Sequence, residues 1–492
     1  MKRKKRRAVY VWIACVALLV ACVNIALANV TDGDPVMVNS SADHGMWSKI
    51  ATLVDGDAAI AGSWLESKTE STYPLTPYSG LAAGAYKGLQ RVFRLTLRSD
   101  PLITSRLILA MLNLPLLILL LTTTIDSIDR VGRGNWARYS GILAACFATM
   151  FLPLVSSLNH QLPAAAATSL VLWIYLVVAE RLEESRQVPP RTWVIAGVSA
   201  AFAVMFQILA APMLIAWVVL FRQLDREIAT PVIGGVAIAL GCFAATWLIG
   251  DGLLSRGTQR AAEPELEVVA AFESPLTKPD LSIAKRVRKE LTQQQLASAA
   301  EELVILAVDQ SHWTVEVQQK HYTLVRQIDE WQLLKQNDDV IRLAPAVSES
   351  DTASSVTSKP SSIAVLFHGV IGHHGWFSLT PIWLLVPFAV VGGFTFGPTD
   401  YRRLAIAVAV VSLVALVIVG AMMIVDGGYR FPTELIWLTP LWLLMLTPLL
   451  EDLGKSLQGK SLVLVLLTLS AAGSLAVVTW HSAASLLSYV TL

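Results

Sequence analysis

Apolar runs of about 20 residues recur along almost the whole chain, and about 20 is the length a helix needs to cross a bilayer. No other feature restricts the fold as much. Inside lipid every backbone N–H and C=O must find a partner within the protein, which leaves helices and closed barrels as spanning elements. The runs are too long for barrel strands, so the expected fold class is an all-α polytopic membrane protein. Composition agrees. Of 492 residues, 54% are hydrophobic and 15% charged, and the mean hydropathy is +0.57. A soluble domain carries roughly 25% charge, so a soluble enzyme, a disordered chain, a collagen and a disulfide scaffold are all excluded. The net charge of +1 gives no bias toward nucleic acid. The four cysteines (Cys15, Cys22, Cys146, Cys242) lie within apolar runs and say little about redox compartment.

Charge placement orients the runs. Lys2 to Arg7 precede an apolar stretch from Val9 to about Ala28, and positive charge stays cytoplasmic, so the N-terminus is expected inside. Three readings of this segment remain open. It is a retained anchor, a signal peptide cleaved near Ala26-Leu27-Ala28, or a lipoprotein leader ending before Cys22. Spanning segments then follow near 102–124, 140–158, 163–180, 231–249, 376–398, 403–425, 432–450 and 461–485. Residues 193–221 are apolar with arginines on both flanks (Arg191; Arg222, Arg226) and carry Gln207 and Pro212 near the middle. That pattern suits a re-entrant V of two half-helices, with one long tilted helix as the alternative. The expected total is about ten transmembrane helices plus a re-entrant pair. Arg130, Arg133, Arg138, Arg181, Arg186, Arg402, Arg403, Lys455 and Lys460 all fall on inside loops in this arrangement.

Five segments result: 1–29, the basic segment and first helix; 30–100, an external loop with interfacial helices; 101–249, the first half of the bundle; 250–370, an external soluble insertion; and 371–492, the second half. The insertion is rich in charge and reads as a small α+β unit. Helical periodicity runs over 281–309 and a strand-like pattern from His312 to Ile341, followed by a Ser/Thr-rich tether over 348–362.

Chemistry could sit at several external rims. Asp32, Asp34 and Asp43 follow the first helix, and a carboxylate there can act as a general base or hold a divalent cation. The alternative is solvated loop acids. His368, His373 and His374 lie in a glycine-rich run ending Phe377-Ser378-Leu379-Thr380-Pro381, where histidine could meet a metal or a phosphate, or simply satisfy an interfacial loop. Asn159-His160 forms another rim and could face the same cavity. Asp426, Arg430 and Glu434 form a third, where charge is costly unless paired or lining a cavity. No Walker loop, Rossmann fingerprint, nucleophile elbow or zinc-protease motif is present. A membrane enzyme working outside has no nucleotide sugar to draw on, so its activated donor would be lipid-linked.

These elements resemble the GT-C type of membrane glycosyltransferase, which uses polyprenyl-phosphate sugars and includes protein mannosyltransferase-like and aminoarabinose-transferase-like enzymes. They are most similar to an uncharacterised bacterial branch. Its post-helix element is matched by Ala42-Asp43-His44-Gly45-Met46-Trp47, and its Asn-His-Leu-Pro-Ala rim by Asn159-His160-Gln161-Leu162-Pro163-Ala164. Its Gly-His-His box is matched by Gly372 to Pro381, and its late element by Trp437 to Leu444. The likeness spans nearly the whole chain except 250–360. It implies a GT-C-like fold in the bacterial inner membrane and transfer of a sugar from a polyprenyl-phosphate donor to an envelope acceptor on the external face. It also implies Asp43 as the catalytic base, with His44, Asn159, His160, His373 and His374 as substrate-binding residues. It implies no definite cofactor, and a divalent cation is one that the carboxylate could hold. The chain departs from the family pattern where Tyr73-Pro74-Leu75-Thr76-Pro77 lacks a phosphate-binding lysine and where Gln207 stands for a glutamate in the V. The other readings are a non-catalytic relative that binds an isoprenoid lipid or an envelope partner, and a secondary transporter, which would want paired broken helices in two similar halves.

The topology has a direct check. Cysteines introduced at Ser63 and Ser354 should react with an impermeant thiol reagent in intact cells, over the background of the native cysteines. Protection of both would put 30–100 and 250–370 in the cytoplasm and end the argument for a lipid-linked donor.

Overall fold

A computed structural model describes residues 2–27, 30–31, 34–35, 41–55, 77–97, 99–224, 230–241, 267–273, 304–307, 312–317, 320–327, 330–335, 380–426 and 433–480. The chain divides into two compact units, one of residues 1–251 with 357–492 and one of residues 252–356.

The first unit is helical. Among the described residues, seven helices are long and apolar enough to cross a membrane: Arg6–Ala26, Pro101–Val131, Asn135–Leu154, Gln161–Glu183, Thr399–Met422, Glu434–Leu453 and Leu457–Leu475. Four apolar helices are shorter: Pro190–Phe206, Ile208–Leu224, Thr230–Gly241 and Pro381–Thr395. The spans expected near 231–249 and 376–398 correspond to two of these shorter helices. In chain order we label α1 Lys2–Leu27, α2 Ser41–Asp55, α3 Pro77–Phe93, α4 Pro101–Val131, α5 Asn135–Phe147, α6 Phe151–Leu154, α7 Gln161–Glu183, α8 Pro190–Phe206 and α9 Ala211–Leu224. There follow α10 Thr230–Gly241, α11 Val386–Phe396, α12 Thr399–Asp426, α13 Thr439–Leu453 and α14 Leu457–Trp480. A 3-10 segment, Thr433–Leu438, leads into α13.

Small residues set how closely these helices approach. On α7 the run Ala164 to Ala167 is buried, and just beyond it Ser169 Oγ lies 2.7 Å from Thr123 Oγ1 and 2.8 Å from Thr124 Oγ1 of α4. Close backbones and shared hydroxyls hold helices together where burial of apolar surface gives little drive, as in lipid. Gly197 of α8 and Gly235 of α10 form a second close crossing. A Cβ on Gly197 would fall inside van der Waals contact with the Val232 carbonyl, and one on Gly235 with the Val194 carbonyl.

The path of α8 and α9 is decided by ring contacts. The Trp193 and Phe221 ring centroids lie 5.9 Å apart, although the residues stand near opposite ends of the α8–α9 segment. Over 28 residues a continuous helix would separate them by about 42 Å. The chain therefore turns back at Gln207, whose extended backbone (φ −140°, ψ 104°) ends α8. Tyr175, in the later part of α7, packs on Trp217 and Phe221 and so meets the α9 foot of the folded-back pair.

The two ends of the bundle differ chemically. At the end reached by the start of α1, the end of α4 and the end of α7, ion pairs predominate. Arg138 meets Asp129, Arg130 bridges Asp126 and Glu180, and the Arg133 backbone N–H donates to Glu451. The opposite end is reached by the end of α1 and the start of α7 and is rich in amides and hydroxyls, with the Glu434 and Asp55 carboxylates among them. There α2 and α3 pack as two helices with Trp47, Tyr78 and Tyr86 fully buried. Burial, then the hydrogen bond it donates to the Asp55 carboxylate, pushes the Tyr86 hydroxyl up to about 12, so it remains a donor at neutral pH.

Within the second unit the described residues form one antiparallel sheet. Its strands are β3 Glu267–Glu273, β4 Val304–Ala307, β5 His312–Val317, β6 Lys320–Gln327 and β7 Glu330–Lys335, in the order β3-β7-β6-β5-β4. A separate two-stranded pairing joins β1 Val30–Thr31 to β2 Asp34–Pro35. β5 pairs with β6 as far as Val317 with Lys320, and β6 with β7 as far as Gln327 with Glu330. The strand pattern from His312 thus corresponds to real strands. The helical periodicity over 281–309 does not extend through residues 304–307, which are strand β4. Apolar side chains spaced by two and by three or four coincide in Leu303-Val304-Ile305-Leu306, and pairing with β5 selects the strand. The remainder of 281–309 and the Ser/Thr-rich tether lie outside the described residues.

Gly197→Ala should lower stability by about 1–3 kcal/mol, the usual cost of an overpacked contact, because the Val232 carbonyl cannot retreat without moving α10. Thermal unfolding of the detergent-solubilised protein checks this, and an unchanged midpoint would mean that the α8–α10 crossing is loose.

Candidate functional site

Polar groups gather where the start of α7, the break between α8 and α9, and the 3-10 segment before α13 meet. The Glu434 carboxylate is their centre. Its Oε2 accepts from Gln161 Nε2 at 2.9 Å and from Gln207 Nε2, and His160 Nε2 lies 3.8 Å away. Gln207 Nε2 also donates to the Glu434 backbone carbonyl at 3.1 Å. One amide thus ties the turned-back chain to both the side chain and the main chain of the 3-10 segment. Among the described residues no donor reaches Glu434 Oε1, and the Glu434 and His160 side chains remain 35% and 31% exposed.

The two glutamines are buried, Gln161 to 2% exposure and Gln207 to 4%. The carboxylate fixes the amide orientation of Gln161, because turning its Oε1 toward Glu434 would bring two acceptors together. That oxygen therefore faces away, buried and with no donor among the described residues. Gln161 Nε2 also lies 3.1 Å from His160 Nε2. A ring nitrogen that accepts from an amide leaves the proton of a neutral imidazole on Nδ1.

The level of these side chains is set by a second polar chain behind them. Asn159 Oδ1 accepts the backbone N–H groups of Gln161 at 3.1 Å and Leu162 at 3.2 Å and so closes the first turn of α7. Its Nδ2 donates to the Leu154 carbonyl at 3.0 Å and to Ser157 Oγ at 2.7 Å. Asn113, fully buried in the apolar α4, donates to the carbonyls of Val155 at 2.8 Å and Ser157 at 3.0 Å and accepts from the Tyr78 hydroxyl. Tyr78 in turn meets Phe206, the last residue of α8, edge to face. The α6–α7 turn is thereby braced from α4 and α3.

Of the residues singled out in the sequence, His160, Gln207 and Glu434 are brought together. Asn159 stands beside them, with its amide committed to the turn. Asp43 and His44 lie in the first turn of α2, described as backbone only, while His368, His373, His374 and Arg430 fall outside the described residues. Gln161, Asn113 and Tyr78 were not singled out in the sequence. Asn113 could have been, as a lone amide in a long apolar helix. Among the described residues no group of three or more His, Cys, Asp or Glu side chains could hold a metal ion.

Comparison with protein-family models, curated proteins and solved structures gives no match, and the site is therefore read from its own geometry.

Gln207→Ala should cost about 1–3 kcal/mol, the penalty for stripping a hydrogen bond from a buried polar group. Gln207→Glu should cost more at neutral pH, since it sets a second carboxylate against the first. Unfolding midpoints of the two variants check the order, and a smaller loss in Gln207→Glu, which keeps the shape, would mean that Gln207 acts through its shape alone.

Proposed function

We propose that the chain is a polytopic GT-C-type glycosyltransferase of the bacterial inner membrane. It moves a sugar from a polyprenyl-phosphate donor to an envelope acceptor on the external face. One observation carries the reading. A carboxylate and an imidazole stay partly exposed at the tip of a folded-back helix pair, at the end of the bundle opposite the Arg130 and Arg138 ion pairs. Retention of positive charge on the cytoplasmic side makes that tip external. On this reading about ten helices span the membrane, with α8 and α9 as the re-entrant pair. Broken helices persist at membrane depth only where they line a cavity or are covered by protein. A transporter built from repeats wants two such breaks. The described residues contain one pair whose ends meet, α8 and α9.

The departure from the family pattern at Gln207 has a physical counterpart. A glutamate there would oppose Glu434, whereas Gln207 donates to it, so the tip keeps its carboxylate on a different element. Asp43 takes the proton of the acceptor hydroxyl as that oxygen attacks the anomeric carbon. The bond from that carbon to the phosphate oxygen breaks, and the polyprenyl phosphate leaves. His373 and His374 take the phosphate in place of the missing lysine, and His44 and His160 complete the substrate contacts.

General-base assistance contributes about 10²–10⁴ in rate. Asp43→Asn should therefore lose at least the lower end of that range while expression and insertion survive. His373→Ala should raise KM more than it lowers kcat if the ring meets the donor phosphate. Radiolabelled polyprenyl-phosphate sugars with envelope acceptors provide the assay. Unchanged turnover in Asp43→Asn removes the base. No turnover in the wild type across common donors favours a non-catalytic protein that binds the lipid or an envelope partner.

A further inference from the structure

We infer that Glu434 and His160, held in place by Gln161, form the subsite for the sugar hydroxyls of a lipid-linked donor, and that the donor phosphate binds elsewhere. This rests on the lipid-linked sugar reading and adds what the tip of the folded-back pair recognises. All the protein donors on Glu434 gather at Oε2, which leaves Oε1 as an accessible, charged acceptor among the described residues. Gln161, 2% exposed, holds the carboxylate and the imidazole from behind through its Nε2. The His160 ring lies beside Glu434, its Nε2 3.1 Å from Gln161 Nε2 and 3.8 Å from the carboxylate. A partly exposed carboxylate acceptor beside an imidazole matches sugar hydroxyls, which give protons to the one and meet the other. The pair does not match a phosphate, which brings only acceptors and a negative charge to a carboxylate. His160, 3.8 Å from that carboxylate, belongs with the sugar rather than with the phosphate.

Trp437 adds an independent sign that this face is built for a polar partner. In a 3-10 helix side chains three apart eclipse one another, so Trp437 shares a face of Thr433–Leu438 with Glu434. Its ring is fully buried, and its Nε1–H has no acceptor among the described residues.

The test uses the full-length protein in nanodiscs and titration calorimetry with synthetic probes: farnesyl phosphate, and farnesyl phosphate carrying glucose, galactose, mannose or arabinose. A hydrogen bond to a charged group is worth about tenfold or more in affinity. At least one glycosylated probe should therefore bind about tenfold more tightly than farnesyl phosphate. Glu434→Gln should bring that ratio to within about twofold of unity while leaving farnesyl phosphate binding unchanged. His160→Asn, at a partly exposed side chain that threatens the fold less, should lower the same ratio by a smaller factor. A ratio retained in both variants overturns the subsite, as does equal weakening of farnesyl phosphate and its glycosides by Glu434→Gln. If wild-type protein binds farnesyl phosphate but no glycoside more tightly, the subsite falls and the lipid-phosphate reading stands. If it binds none of the probes, the lipid-linked donor falls with it.

Discussion

A single carboxylate at the end of an apolar helical bundle sets the conditions for everything around it. Removing a charge from water is costly unless hydrogen bonds replace the lost hydration. Glu434 meets that requirement through amides from two other elements, Gln161 at the head of α7 and Gln207 at the break between α8 and α9. Each donor has to be held at the right depth, and much of the surrounding architecture does this. Asn159 closes the first turn of α7, Asn113 braces the preceding turn from α4, and Tyr78 connects that brace to α3 and to the end of α8. A folded-back helix pair, an interrupted helix entry and a pair of covering helices all converge on this carboxylate.

The helix-level architecture was largely legible in the sequence because its physics is local. Twenty apolar residues with basic flanks state a helix and its direction wherever they occur, and α1, α4, α7 and α12 lie where hydropathy puts them. The turn at Gln207 was legible as a pattern of flanking arginines around an interrupted apolar run. Its alternative, one long tilted helix, is excluded by the contact of Trp193 with Phe221. In the insertion, Leu303 to Leu306 fits both periods, and the choice of strand depends on a partner, β5, that short-range pattern cannot supply.

The site was legible in pieces only. His160, Gln207 and Glu434 each stood out as polar groups at the rim or middle of apolar segments. Their union depends on contacts across 273 residues between Gln161 and Glu434 and 227 between Gln207 and Glu434. No periodicity encodes such contacts. Gln161 carries no signal of its own in the sequence, since an amide at a helix start is ordinary. Its neighbour Asn159 is the residue that closes the first turn of α7.

The account stands or falls on where a glycosylated lipid puts its two polar parts. An electron cryomicroscopy map of the full-length protein with a polyprenyl-phosphate sugar resolves this most directly. Sugar density in contact with Glu434 and His160, with the phosphate displaced from the carboxylate, is the expected result. Phosphate density against Glu434, or a head group at the arginine-rich end of the bundle, would contradict it.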